Sequence, residues 1–252
     1  DTFSAVGTLR PVESIAIRNE VPGKVVRIGF EEGERVDEGE VLLQMRNSTL
    51  RAELEVEKRR RDLLKTEVER QRKVLKQGGI SQQQFDATQN ELEVVEAELD
   101  RVRAELQKTT VRAPFDGRVG IRDVSPGAIL TTGTQLAELV RTEPMELQFS
   151  VPERYAGDVE RGSEVRFRVH GSRKIRSAEV HAMDATLDPE TRALRVEARV
   201  EHPGDRLRPG AFADVRTKLE TIDDALAVPA PALVQSGDET FVWLMVEGKA
   251  KK

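Results

Sequence analysis

The chain has 252 residues, 34% of them charged and 4% aromatic, with a formal net charge of −5 and no cysteine. Without cysteine there are no disulfides and no thiol chemistry. A net acidic chain is also a poor nucleic-acid binder. No apolar run reaches the length of about 18–20 residues that a membrane helix needs.

The first predicted element is half of a repeat. Gly23, Val25, Gly33, Val36, Gly39 and Leu42 form a pattern that returns as Gly117, Val119, Gly127, Leu130, Gly133 and Leu136, with offsets of 2, 10, 13, 16 and 19 from the first glycine in both copies. Repetition indicates a fold built from equivalent units. In the first copy Val25-Val26 with Ile28, and Val41-Leu42-Leu43, read as strands. Glu31-Glu32-Gly33 and Asp37-Glu38-Gly39 read as turns between them, and Ser125-Pro126-Gly127 and Thr131-Thr132-Gly133 do the same in the second copy. One copy alone leaves its apolar face exposed, so the two are expected to pack as one body. Met45 reads as a core residue at a strand end.

Between the copies, from about Ser48 to Lys108, there is no proline, and the only glycines are Gly78 and Gly79. The segment reads as two helical arms. Gly78 fits the position just past a helix end. Ser81 and Gln84 fit a capping box opening the second helix, with Ile80 and Phe85 as its hydrophobic staple. The second arm carries a heptad seam, Phe85, Thr88, Leu92, Val95, Leu99, Val102 and Leu106; in the first arm Leu50, Leu54, Leu64, Val68 and Leu75 keep the register and Glu57, Arg61 and Gln71 interrupt it. Arms of roughly thirty residues reach about 45 Å, so an antiparallel coiled-coil hairpin is expected to project from the molecule. A turn centred on the glycines pairs residue numbers that sum to about 157. The run Lys58-Arg59-Arg60-Arg61 is then either a solvated face or a cross-arm partner of Glu96, Glu98 and Asp100. A seam this narrow is a modest support for so long an arm, which implies docking at its base or against neighbouring subunits.

The order of these parts resembles a known family. A split lipoyl/biotinyl-like module with an inserted helical hairpin is similar to the periplasmic adaptors, or membrane fusion proteins, of tripartite efflux pumps. The segment from Thr109 to Gly120, TTVRAPFDGRVG, resembles the family's return from hairpin to lipoyl half. At the tip Arg70 and Ser81 match the family's arginine and serine, with Val74 (or Leu75 in a register slipped by one) where leucine is usual. Further on, Leu147–Glu153, Asp188–Arg192 and Leu207–Phe212 resemble its β-barrel signatures, and Ala227–Val234 resembles the entry to its membrane-proximal domain.

The resemblance implies a mainly β, elongated, multidomain fold. Its parts are a split lipoyl-like sandwich (12–45 and 111–141), a coiled-coil hairpin (46–110), a β-barrel (142–218, with part of 1–11) and a truncated membrane-proximal domain (219–252, with part of 1–11). At the chain's end, Phe241–Val246 reads as one strand, and Glu247-Gly248-Lys249 as a turn with no return strand. The implied function is a non-catalytic link between an inner-membrane drug/proton antiporter of the resistance–nodulation–division type and an outer-membrane channel. Arg70, Val74, Gly78 and Ser81 would be the channel-docking residues. A ring, hexamer or trimer of dimers, would form by self-association. The implied location is the periplasm, with an N-terminal anchor outside this chain. An adaptor of an ABC-type exporter or type I secretion system shares the plan. A lipoyl or biotinyl carrier modified at a lysine such as Lys24 is a remote alternative, because the departure after Met45 replaces the lysine hairpin.

No catalytic residue, cofactor, metal or nucleic-acid partner is expected. His170, His181 and His202 are not at metal-ligand spacing to one another or to a carboxylate pair, and no serine sits in a Gly-x-Ser-x-Gly elbow. The glycines form no phosphate loop, and Met45, Met145, Met183 and Met245 are scattered.

Overall fold

A computed structural model describes residues 2–204, 207–218, 228–236, 239–246 and 249–251. In chain order, β1 (Thr2–Pro11), β2 (Ser14–Arg18), β3 (Gly23–Ile28), β4 (Arg35–Val36) and β5 (Val41–Met45) precede the long helices α1 (Ser48–Lys76) and α2 (Gln82–Lys108). Then come β6 (Thr110–Arg112), β7 (Gly117–Val119), β8 (Ile129–Leu130), β9 (Gln135–Val140) and β10 (Met145–Pro152). The one-turn helix α3 (Glu153–Ala156), β11 (Glu164–Val169), β12 (Arg176–Met183), β13 (Ala193–Val200) and β14 (Phe212–Lys218) follow. Last are β15 (Leu233–Ser236), β16 (Glu239–Val242), β17 (Leu244–Val246) and β18 (Lys249–Lys251).

The two copies of the repeat interlock. One four-stranded sheet runs β2-β9-β7-β4 and the other β6-β5-β3-β8, so each contains strands from both copies. The pairing is reciprocal: Gly23 lies opposite Leu130, and Gly117 lies opposite Val36. In each case offset 0 of one copy meets offset 13 of the other. The turn hydrogen bonds repeat the exchange. Gly33 N–H donates to Val119 O and Gly127 N–H to Val25 O, both at 2.9 Å, while Gly39 N–H donates to Ala113 O and Gly133 N–H to Asn19 O, both at 2.8 Å. These four turn glycines take φ of 81, 89, 79 and 81°, the left-handed region in which a side chain is penalised. The other repeated positions, Val25, Val36, Leu42, Val119, Leu130 and Leu136, are all buried in the shared core, with Met45 among them. Lys24 lies within β3 opposite Ile129, not on a hairpin tip where a swinging arm would need it.

The chain enters and leaves this sandwich through a closed six-stranded barrel, β1-β10-β13-β12-β11-β14. Strand β10 shows its logic: Met145, Leu147, Phe149 and Val151 are buried, and Glu146, Gln148 and Ser150 alternate outward. The interior is completed by Leu9, Val165, Phe167, Val180, Val196, Ala198 and Val215. Strand β1 pairs along its length with β10 and β14, so among the described residues Thr2–Pro11 pairs within the barrel and with none of the terminal strands, where the sequence reading shares it between the two.

The end of the chain also departs from the sequence reading. Phe241–Val246 is not one strand but breaks at Trp243, and each part closes its own antiparallel hairpin, β15-β16 and β17-β18. Lys249–Lys251 supplies the return strand that was not expected. Residues 219–227, 237–238, 247–248 and 252 of the expected membrane-proximal segment lie outside the described residues. Among the described residues no helix is long and apolar enough to cross a membrane.

Candidate docking site at the hairpin tip

The helices α1 and α2 have 29 and 27 residues, about 43 and 40 Å at the usual rise. Two ion pairs show that they run antiparallel: Arg60 to Glu91 at 3.7 Å and Arg101 to Glu53 at 3.0 Å. In α2 Phe85, Val95, Leu99 and Val102 are buried, and Thr88, Leu92 and Leu106 are half-buried. In α1 only Val68 is buried; Leu50, Leu54, Leu64 and Leu75 are half-buried, and so are the interrupting Glu57, Arg61 and Gln71. The interruptions lie in the seam. Glu57 Oε2 and Gln71 Oε1 are shut off from water with no hydrogen-bond partner.

Cross-arm pairing of the basic run is largely absent. Lys58 turns to Glu55 and Arg61 to Asp62, while Glu98 is taken by Arg101 and Asp100 by Arg103. Neighbours on the same helix are already within reach and need less ordering than a partner across the seam. Among the described residues only Arg60 of the run crosses, and to Glu91, not to the expected acids. The numbers of the two cross-arm pairs sum to 151 and 154, short of the expected register.

The root of the arm is fastened to the sandwich at Thr109. Met45 N–H donates to Thr109 O at 2.9 Å, Asn47 Nδ2 donates to Thr109 Oγ1 at 3.4 Å, and Thr109 Oγ1 donates to Leu106 O at 2.6 Å. Thr110 Oγ1 adds a bond to Gln44 Oε1 at 2.9 Å on the neighbouring strand.

At the far end the turn is built from two adjoining caps. Gly78 N–H donates to Leu75 O at 2.9 Å and Gly79 N–H to Val74 O at 3.0 Å, the paired bonds of a Schellman ending, with Gly78 at φ 76°. Val74 lies over Gly79, where a Cβ would come within 2.7 Å of Val74 Cγ1. Leu75, not Val74, falls in the seam register. Three residues on, Gln84 N–H donates to Ser81 Oγ at 3.2 Å and Ser81 N–H to Gln84 Oε1 at 3.1 Å, a complete capping box. Phe85 is buried beneath Arg72, whose guanidinium carbon stands 5.9 Å from the ring centroid.

The structure therefore gathers three of the four candidate residues, Val74, Gly78 and Ser81, within the turn itself. Val74 is half-buried against Gly79; Gly78 and Ser81 are exposed. Arg70 lies two turns earlier on α1 with its side chain 70% exposed and pairs at 3.3 Å with Glu67 of its own helix. What this end of the arm offers is a doubly capped turn with backbone groups and small side chains, flanked on α1 by the exposed cations Arg70, Arg72, Lys73 and Lys76.

Comparison with known proteins decides the family. A family profile described as the RND MFP barrel-sandwich hybrid domain matches residues 13–142, over half of the chain. The chain belongs to the RND membrane fusion protein family. A second profile, the CusB-like β-barrel domain, matches residues 147–221 of this family member. It is similar to the multidrug resistance protein MdtA of Pantoea ananatis, 27% identical with 96% of the chain and 65% of that protein covered. It is 24% identical to MdtA of Escherichia coli O17:K52:H18, with 99% of the chain and 66% of that protein covered. The chain thus spans just under two thirds of the length of these curated relatives. In fold it resembles a MacA–MexA chimeric protein carrying the Pseudomonas aeruginosa MexA α-hairpin domain (TM-score 0.76, 18% identity, 87% of this chain and 79% of that one). It also resembles the membrane fusion protein Spr0693 of Streptococcus pneumoniae R6 (TM-score 0.65, 18% identity, 88% of this chain and 100% of that one).

Proposed function

We propose that this chain is the periplasmic portion of a non-catalytic adaptor that joins an inner-membrane drug/proton antiporter of the resistance–nodulation–division type to an outer-membrane channel. The observation that carries the proposal is the arm: two helices rooted through Thr109 in a bisected sandwich and closed by a doubly capped tip that presents Arg70, Gly78 and Ser81 to solvent. A doubly capped turn holds its shape at little entropic cost, which suits a surface that must meet a partner end-on. The tip docks on the channel, while the barrel and the terminal strands face the transporter. The RND character of the matched sandwich profile supports that transporter type over an ABC exporter.

Ring formation, as a hexamer or trimer of dimers, fits the exposed apolar residues along the flanks. Val56 and Leu63 stand one heptad apart on α1, Val94 stands on α2, and Val26, Ile121 and Ile129 stand on the sandwich, each more than half exposed. Lateral contact between copies covers such residues and supports an arm whose own seam is interrupted.

The test is Arg70→Asp in the full-length adaptor, expressed at the wild-type level in cells that depend on it for drug efflux. Charge reversal at an exposed side chain leaves the fold intact. Loss of efflux with normal adaptor abundance is expected; unchanged efflux contradicts the docking role of Arg70.

A further inference from the structure

Glu146, His181 and Glu197 are far apart in sequence but sit on β10, β12 and β13, which are adjacent in the barrel in the order β10-β13-β12. Glu146 lies between buried Met145 and Leu147, and Glu197 between buried Val196 and Ala198, so both point outward. His181 arrives by an irregularity. Val180 pairs with Ala198 and Ala182 pairs with Glu197, leaving His181 as the extra residue of a β-bulge. Bulges re-aim a side chain at a small cost in pairing.

One ligand atom from each of the three residues lies within 4.8 Å of the others. His181 Nε2 is 3.5 Å from Glu146 Oε1, and the two side chains are only 26% and 18% exposed. That separation is long for a hydrogen bond, whose usual length is about 2.9 Å. It is close to the edge, about 3.4 Å, of a tetrahedron whose centre stands about 2.1 Å from each donor, the geometry of a bound zinc ion. His181 Nδ1 is closed off from water and has no hydrogen-bond partner. Arg10 and Arg199 flank Glu146 on the neighbouring strands, yet among the described residues neither forms an ion pair with it. Two half-buried carboxylates brought this close to one imidazole make a favourable place for a cation.

We propose that Glu146, His181 and Glu197 form a binding site for one divalent transition-metal ion of the zinc type, each residue supplying one ligand and water completing the coordination. One imidazole and two carboxylates suit zinc and its first-row neighbours; calcium and magnesium take oxygen ligands and have no use for the nitrogen. The ion ties three strands together across the bulge and so stabilises the barrel by mass action.

The experiment is equilibrium binding of zinc alone to the untagged, chelator-stripped chain, with thermal unfolding in parallel. One ion per chain and a rise in Tm with zinc are expected. His181→Ala and Glu197→Gln each weaken binding by more than about tenfold and abolish the Tm rise. Both alter an outward-facing side chain, and their metal-free Tm values establish that they fold. His170→Ala, which changes a histidine beside Asp214 elsewhere on the barrel, leaves binding unchanged. Absence of saturable binding to the wild-type chain overturns the proposal. So does zinc binding that survives both variants, or equal binding of calcium, which would remove the role of the imidazole.

Discussion

Ser81 has a local duty that is separable from any partner. Its hydroxyl accepts the Gln84 N–H, so Ser81→Ala costs about 0.5–2 kcal/mol of stability. Ser81→Asp, which keeps an acceptor at the cap, restores most of it; urea unfolding of the three proteins checks the ranking. If Ser81→Asp is stable yet fails to support efflux, the hydroxyl has a second duty at the channel. Gly79 is constrained differently. Its substitution by alanine sets a methyl against Val74 and costs about 1–3 kcal/mol, read as faster amide exchange in the last turn of α1. Asp188 gives a pH prediction. The Thr191 backbone N–H, then the Thr191 side chain and the Glu190 N–H, hold its carboxyl below the usual 3.8. A depressed folded value stabilises the folded state above the unfolded pKa and loses that contribution as pH falls. The Tm advantage of wild type over Asp188→Asn is therefore steady at neutral pH and closes as pH drops through 3.8 toward the lower folded value. Parallel loss at all pH values contradicts it.

The elements show which signals a sequence carries. The heptad of α2 was readable because helix periodicity is local, and all seven of its positions are withdrawn from solvent. The capping box was readable for the same reason, as the four residues from Ser81 to Gln84 contain it. The ion pairs were not, because each basic side chain chooses between an acid on its own helix and one across the seam, and the nearer one won at Lys58 and Arg61. The Glu146–His181–Glu197 cluster was invisible for a stronger reason: it exists only through the register of three strands and a one-residue bulge. The interrupted seam yields its own prediction. Gln71 donates to Glu67 at 3.1 Å but leaves Oε1 buried without a partner, so Gln71→Leu stabilises the chain by about 1 kcal/mol in urea unfolding. Destabilisation would mean that the polar seam is needed for the arm's register.

At the scale of the whole molecule, the division of labour follows from symmetry and its interruption. Reciprocal pairing of Gly23 with Leu130 and of Gly117 with Val36 makes a sandwich that neither half can form alone. An arm inserted between the halves must therefore leave and return at one place, and the bonds to Thr109 close its root there. The barrel, built with β1 from the start of the chain, lies on the other side of the repeat in sequence and surrounds a separate core. A helical arm on a clasped base suits the proposed connector, in which the tip meets the outer-membrane channel. The most direct measurement is photo-crosslinking in living cells from a reactive residue replacing exposed Gln77, beside Gly78, in the full-length adaptor. An adduct with an outer-membrane channel protein, lost when Arg70 is reversed to Asp, is expected. Adducts only with the inner-membrane transporter, or none from a properly folded and abundant adaptor, would contradict it.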